Sequence, residues 1–210
     1  MTVQPIRAVL WDFGGVLFAS PFEGFNRYEH TNGLPRDFLR GLNATNPDTN
    51  AWAQFERTDV TFDEFCVLFE AEASQAGYRV DAREVMTALR GAVRPQMLEA
   101  VRRIRANGLK TAGLTNNVAD PNDRGAGGRD VHALFDVVIE SSKVGVRKPE
   151  LRFYELACTA LGVHAGECAF LDDLGVNLKP AAAMGMRTIK VVDPDRALEE
   201  LETLVGFSLR

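Results

Sequence analysis

Residues 8–17 read Ala8-Val-Leu-Trp-Asp-Phe-Gly-Gly-Val-Leu17, an apolar run closed by the carboxylate of Asp12 and followed by two glycines. A run this short suits a strand buried on both faces. Gly14 and Gly15 permit a tight turn that leaves the carboxylate at the strand's C-terminal end. In doubly wound α/β sheets, ligands bind at such ends. Taken alone, the segment also fits a surface aspartate in a strand-to-helix turn, so the fold depends on whether other strands end the same way.

Three others do. Lys110-Thr-Ala-Gly-Leu114 runs into Thr115-Asn116-Asn117. Phe135-Asp-Val-Val-Ile139 leads through Glu140-Ser-Ser142 to Arg147-Lys148-Pro149, and Cys168-Ala-Phe-Leu171 ends in Asp172-Asp173. Each is a brief apolar segment closed by groups capable of chemistry, and helical patterns separate them. One parallel sheet would gather a carboxylate, a hydroxyl with an amide, an ammonium and an acidic pair at a single rim.

The 210 residues, 46% of them hydrophobic, allow one sizeable core or a core with a smaller insertion. The net charge of -5, without a Lys/Arg run, excludes the electrostatic footprint of a nucleic-acid binder. The stretch around Arg7 and Asp12 is neither a signal peptide nor long enough to span a bilayer, so a cytoplasmic protein without a membrane partner is expected. Cys66, Cys158 and Cys168 are odd in number and sit in apolar contexts, which predicts buried small hydrophobes rather than disulfides or zinc ligands.

Strand signals vanish between residues 18 and 94. Helices are expected at Pro21 to His30, Pro35 to Leu42, Thr49 to Arg57, Thr61 to Ala76 and Asp81 to Leu89. The fourth begins with Thr61 and Glu64 at capping-box spacing, followed by Phe62, Phe65, Cys66, Phe69 and Ala73 at helical intervals. After Pro95 the alternation resumes. Met97, Leu98, Val101 and Ile104 mark a helix ended by Asn107-Gly108; helices follow at Glu150 to Leu161, Asn177 to Met184 and Asp195 to Leu204, with a strand at Thr188 to Val192. The fold class is therefore α/β: a Rossmann-like three-layer α/β/α core with a parallel sheet (1–17 and 95–210) and a helical cap inserted after the first strand (18–94). Leaving from the active rim, the cap is placed to act as a lid.

Five stretches carry a family resemblance: Trp11-Asp-Phe-Gly-Gly-Val-Leu17, Leu114-Thr-Asn-Asn117, Phe135-Asp-Val-Val-Ile-Glu-Ser141, Val144-Gly-Val-Arg-Lys-Pro-Glu150 and Phe170-Leu-Asp-Asp-Leu-Gly-Val-Asn-Leu-Lys-Pro180. With them the chain resembles the haloacid dehalogenase-like hydrolase superfamily, in particular the N-terminal phosphatase domain of soluble epoxide hydrolases and the related domain of some acyl-CoA dehydrogenase family proteins. No epoxide hydrolase segment is expected after Arg210. The resemblance implies that Asp12 is the nucleophile forming an aspartyl-phosphate. It implies Mg²⁺ held by Asp12, the main chain of Gly14 and Asp173, with Asp172 and Asn177 in support. Thr115 and Asn116 would contact the phosphoryl group of a small phosphorylated substrate. Lys148 would balance its charge, and Arg147 would stay on the surface.

Phosphatases of the superfamily carry a second aspartate, an acid-base group, two residues after the nucleophile, and this sequence has Gly14 there. General acid-base help is worth about 10²–10⁴-fold. Three readings follow: a phosphatase whose acid comes from the insertion or is made unnecessary by a good leaving group; a 2-haloacid dehalogenase using Asp12 without metal; or a weakly active phosphate- or partner-binding module. The Asp172-Asp173 pair disfavours the second, because it would repel beside a metal-free reaction centre. Glu23 and His30 are the nearest titratable candidates, although solvent-facing helix positions fit them better. Arg124 or Arg129, in the glycine-rich loop after Asn116, could reach an anionic substrate. Phe22, Phe25, Tyr28, Trp52 and Phe55 are expected to form the cap's own core rather than line a pocket. No heptad declares an oligomer, though the Thr61–Ala76 helix could pair across a two-fold axis.

Overall fold

The computed structural model describes residues 4–89, 91–118 and 128–210. Strand β1 (Ala8–Asp12) is buried along its whole length, as its apolar run requires. It is joined by β2 (Lys110–Thr115), β3 (Val137–Glu140), β4 (Cys168–Asp172) and β5 (Arg187–Lys190) in a parallel five-stranded sheet of order β3-β2-β1-β4-β5. Asp12 pairs with Leu114, Thr115 with Glu140, and Trp11 with Leu171, so the polar strand ends fall at one edge. After β1 the chain builds outward through β2 and β3, then returns to the other side of β1 for β4. This reversal opens the crevice at the carboxyl ends of β1 and β4 where α/β sheets bind ligands.

Helices α6 (Pro95–Ala106) and α11 (Pro194–Val205) cover one face and bury Met97, Val101, Ile104, Leu198 and Leu201 against Val9, Trp11 and Leu171. Helices α9 (Leu151–Leu161) and α10 (Gly175–Ala183) cover the other, where Phe153, Tyr154 and Leu178 meet Leu10, Leu114 and Phe170. Two short helices, α7 (Gly128–His132) and α8 (Ser141–Val144), flank β3. The fold is thus the expected three-layer Rossmann-type arrangement. Cys66, Cys158 and Cys168 are buried and free, as expected.

Between β1 and α6 the described residues form five helices: α1 (Pro21–Asn32), α2 (Phe38–Ala44), α3 (Ala51–Glu56), α4 (Phe62–Gln75) and α5 (Ala82–Ala88). They share an apolar core in which Phe25, Tyr28, Phe55, Phe65 and Phe69 are buried, with Phe22 and Trp52 packed against it. The chain enters and leaves this layer by adjacent crossings. Ala19 N–H donates to Ala92 O at 2.8 Å, Arg94 N–H donates to Leu17 O at 2.8 Å, and Phe18 bridges Val93 in antiparallel fashion.

The capping box at Thr61 and Glu64 forms as its spacing predicts. Helix α2 begins later than Pro35 because Asp37 adopts a positive φ of 60°. There the buried carboxylate of Glu29 accepts the Asp37 and Leu39 amides at 2.9 and 2.8 Å, a long-range cap invisible to local patterning. Helix α10 begins at Gly175, two residues before the expected Asn177.

Helices α1 and α5 touch through Gly24, where an added β-carbon would lie 2.2 Å from the Ala88 carbonyl oxygen. The Gly24→Ala variant therefore separates the two helices and is expected to destabilise the protein by about 1–3 kcal/mol. Chemical denaturation checks this, and an unchanged midpoint contradicts the close packing.

Candidate active site

Asp12 ends β1 because the backbone turns immediately after it. Gly15 adopts φ +78°, and an added β-carbon there would come 2.3 Å from Asp173 Oδ2, so this position is reserved for glycine twice over. Gly14 has no positive φ; a β-carbon on it would meet Pro21 Cδ at 3.3 Å. The two glycines, alike in sequence as turn residues, thus differ. Gly15 makes the turn, and Gly14 sits beneath the first residue of α1.

Lys148 reaches the same edge from the loop before α9 and is almost fully buried. Its Nζ lies 2.6 Å from Asp12 Oδ1 and 2.8 Å from Asp172 Oδ2, and donates to Leu114 O at 3.0 Å. Asn116 fixes the lysine's backbone: its Oδ1 accepts the Lys148 amide at 2.8 Å and its Nδ2 donates to Lys148 O at 2.9 Å. The Asn116 side chain is therefore engaged with Lys148. Thr115, buried, ends β2 next to Asp12.

Asp172 is fully buried with its oxygens occupied. Besides Lys148, they accept the Leu174 amide at 2.8 Å and the Asn177 Nδ2 at 3.1 Å. Asn177 is in turn fixed through its carbonyl by the Tyr154 hydroxyl at 2.7 Å. Asp173 is half-buried, 3.5 Å from the Ser20 hydroxyl. The structure therefore brings Asp12, Gly14, Thr115, Asn116, Lys148, Asp172, Asp173 and Asn177 together. Tyr154 and Ser20 join them without any signal in the sequence, because an aromatic on a helix and a serine in a linker read as core and surface.

Glu23 and His30 are exposed on α1. Arg124 lies outside the described residues, as does the side chain of Arg129. Arg147 corrects the expectation of a surface charge. Its side chain is only 17% exposed, and its Nε lies 2.6 Å from Oε2 of Glu56, which is itself buried. The sequence hides this because the partner comes from another helix far along the chain.

The electrostatics follow from three carboxylates meeting one ammonium. Burial is the largest influence on Asp12; with the charges of Asp172 and Asp173 it outweighs the pull of Lys148 and pushes the carboxyl up to about 8. Burial and the Asp172 charge push Asp173 up to about 6. Burial alone would lower Lys148, but Asp12 and Asp172 more than reverse it and hold the ammonium well above its ordinary range. With all three carboxyls ionised, two negative charges would be left unbalanced by the single ammonium. Oxygens of Asp12, Asp172 and Asp173 lie within 4.8 Å of one another. A cluster of hard oxygen donors with this surplus suits a hard divalent cation such as Mg²⁺.

Fold and rim together define a Rossmann-type α/β protein with an acidic, lysine-anchored site at the switch point of its sheet. A profile of the haloacid dehalogenase-like hydrolase family matches residues 6–185, and the chain belongs to that family. It is 36% identical to mouse acyl-CoA dehydrogenase family member 10 over 97% of this chain and 19% of that one. It is 34% identical to rat bifunctional epoxide hydrolase 2 over 96% and 39%, respectively. The chain therefore spans well under half the length of these relatives. It is also 29% identical to the sesquiterpene phosphatase astK of Aspergillus oryzae, over 95% of this chain and 97% of that one. Among solved structures, a HAD-like family hydrolase from Porphyromonas gingivalis superposes with a TM-score of 0.69 at 19% identity, covering 96% and 98% of the two chains. Among the described residues no helix is long and apolar enough to cross a membrane.

In the metal-free protein, Asp12 and Asp173 hold protons that the unfolded chain, with an ordinary carboxyl value of 3.8, would release. Stability is therefore lost as pH rises toward the folded value. Glu64, Glu167 and Glu202, held below their ordinary range by hydrogen bonds, contribute in the opposite sense, and that contribution is complete at mildly acidic pH. Thermal unfolding in EDTA should show Tm falling from about pH 6 to about pH 8, with a flatter profile in Asp12→Asn. A profile that is flat or rises in the native protein contradicts the buried charge surplus.

Proposed function

We propose that this chain is a Mg²⁺-dependent phosphatase acting on a small organic phosphate through an aspartyl-phosphate on Asp12. The observation that carries the reading is the 2.6 Å contact between Asp12 and the buried Lys148 ammonium, beside an acidic pair that Asp12 alone would not need. Phosphatases among the similar proteins support the reaction class.

Lys148 keeps one Asp12 oxygen engaged, leaving the other to attack phosphorus. As that P–O bond forms, the bond to the leaving oxygen breaks, and the Thr115 hydroxyl and Asn116 amide stand beside β1 to donate to the transferred group. Water then attacks phosphorus, releasing phosphate and restoring the Asp12 carboxylate. Asp12, the Gly14 carbonyl and Asp173 would hold Mg²⁺, with Asp172 and Asn177 in support; the cation supplies the charge that lets an anionic nucleophile approach a phosphate dianion. Asp172 is committed to Lys148 and Asn177, so it acts by holding the lysine in place.

With glycine at position 14, no carboxyl stands where the second acid usually does, so the favoured substrates release an oxygen anion that needs no proton: aryl, acyl, anomeric or phosphoanhydride leaving groups. Residues 18–94 serve as a lid over the core formed by 1–17 and 95–210. The three buried thiols fit a reducing, cytoplasmic setting.

The expected result is Mg²⁺-dependent hydrolysis of p-nitrophenyl phosphate, lost in Asp12→Asn, with activity on simple alkyl phosphates lower by about 10²–10⁴-fold. Chloride release from a 2-chloro acid in EDTA would replace this reading with the dehalogenase. Binding of Mg²⁺ and phosphate without turnover of any phosphate ester would replace it with a binding module.

A further inference from the structure

Where the helical layer meets the core, one contact is out of the ordinary. Glu56, the last residue of α3, is buried, and its Oε2 lies 2.6 Å from Arg147 Nε. The two groups touch without hydrogen-bond alignment, so the contact is one of charge. Glu56 Oε1 accepts the Trp52 indole N–H at 2.9 Å, which anchors the carboxylate in the aromatic core of its own layer. Arg147 also donates through Nη1 to Pro47 O at 2.9 Å, so among the described residues the guanidinium is held by the helical layer. Around the pair, Thr58 Oγ1 donates to Ser142 O at 2.9 Å, and Arg57 Nη1 lies 3.8 Å from Glu150.

The next residue is Lys148. Its backbone is clamped on the core side by Asn116 and its ammonium ends between Asp12 and Asp172. The loop carrying the site's cation is thus gripped from both sides, by Asn116 through Lys148 and by Glu56 through Arg147. Glu56 also senses the Lys148 charge directly.

Stability alone does not account for the pair. Well-packed apolar residues replace buried ion pairs with little or no loss, whereas removing one partner leaves a stranded charge. What the pair adds is dependence: Arg147 is neutralised only when α3 is docked.

We infer that Glu56 and Arg147 are positioning residues that couple docking of the helical layer to the placement of the Lys148 ammonium. The inference rests on the lid and lysine roles proposed above. Each acts through the 145–148 loop.

The test uses the full chain with Glu56→Gln, Arg147→Gln and the double variant. Two quantities are read: kcat and KM for p-nitrophenyl phosphate with Mg²⁺, and amide hydrogen exchange across residues 143–148. Each single variant should lower kcat on the order of 10- to 100-fold with little change in KM, the loss expected when a catalytic group is displaced by about an ångström. Each should also speed exchange in that loop, including the Lys148 amide, while β1 and β4 stay protected. The double variant, with no stranded charge, should recover most of both losses, since coupled sites are not additive. Singles that match the native protein in kcat and exchange overturn the inference, as does a double variant whose loss is the product of the two. If Glu56→Gln does not fold, Thr58→Val cuts the neighbouring link and should speed exchange in the same loop; unchanged exchange overturns the coupling. Exchange needs no turnover, so a chain that hydrolyses nothing defeats the proposed function while the coupling is still decided.

Discussion

The contact on which the rest depends is that of the Lys148 ammonium with Asp12 and Asp172 at the end of the sheet. A single cation held within 3 Å of two carboxylates, in a place almost closed to water, is tolerable only if all three groups are fixed. Much of the surrounding architecture fixes them. The β1 turn at Gly15 brings Asp173 close, Asn177 and the Leu174 amide pin Asp172, and Tyr154 pins Asn177. Asn116 clamps the lysine's own backbone. The order β3-β2-β1-β4-β5 is what lets four loops distant in sequence supply these groups at one edge.

The same arrangement is deliberately unbalanced. One ammonium does not neutralise three carboxylates, and burial together with the neighbouring carboxylate charges raises both Asp12 and Asp173. Folding energy from the two apolar layers offsets the cost of gathering these carboxylates at one buried edge. The helical layer enters this balance at its joint with the core, through the Glu56–Arg147 contact beside the lysine.

The parts of this design readable in the sequence are those written in short-range code. Apolar runs ending in Asp12, Thr115, Glu140 and Asp172 specify strands and the polarity of their ends, and Thr61 with Glu64 specifies a helix start. The hidden parts are long-range. Glu29 caps α2 across a turn, and Glu56 meets Arg147 across the joint. In sequence each is a charge with no visible partner, and solvent is the default reading. Gly14 and Gly15 are adjacent and identical, yet only the fold reveals that Asp173 presses on one and Pro21 on the other. The side chain of Asn116 illustrates a subtler limit: its place after β2 is readable in the sequence, but its commitment to Lys148 depends on the chain that follows β3.

The central claim is that Asp12, steadied by Lys148 and charge-balanced by a divalent cation, forms a covalent acyl phosphate. Beryllofluoride mimics that adduct without requiring turnover, so ¹⁹F NMR of the protein with BeF₃⁻ tests the claim directly. The account predicts protein-bound fluorine resonances that require Mg²⁺, vanish in Asp12→Asn and weaken in Lys148→Gln. Bound resonances that persist in Asp12→Asn, or none at saturating Mg²⁺, would contradict it.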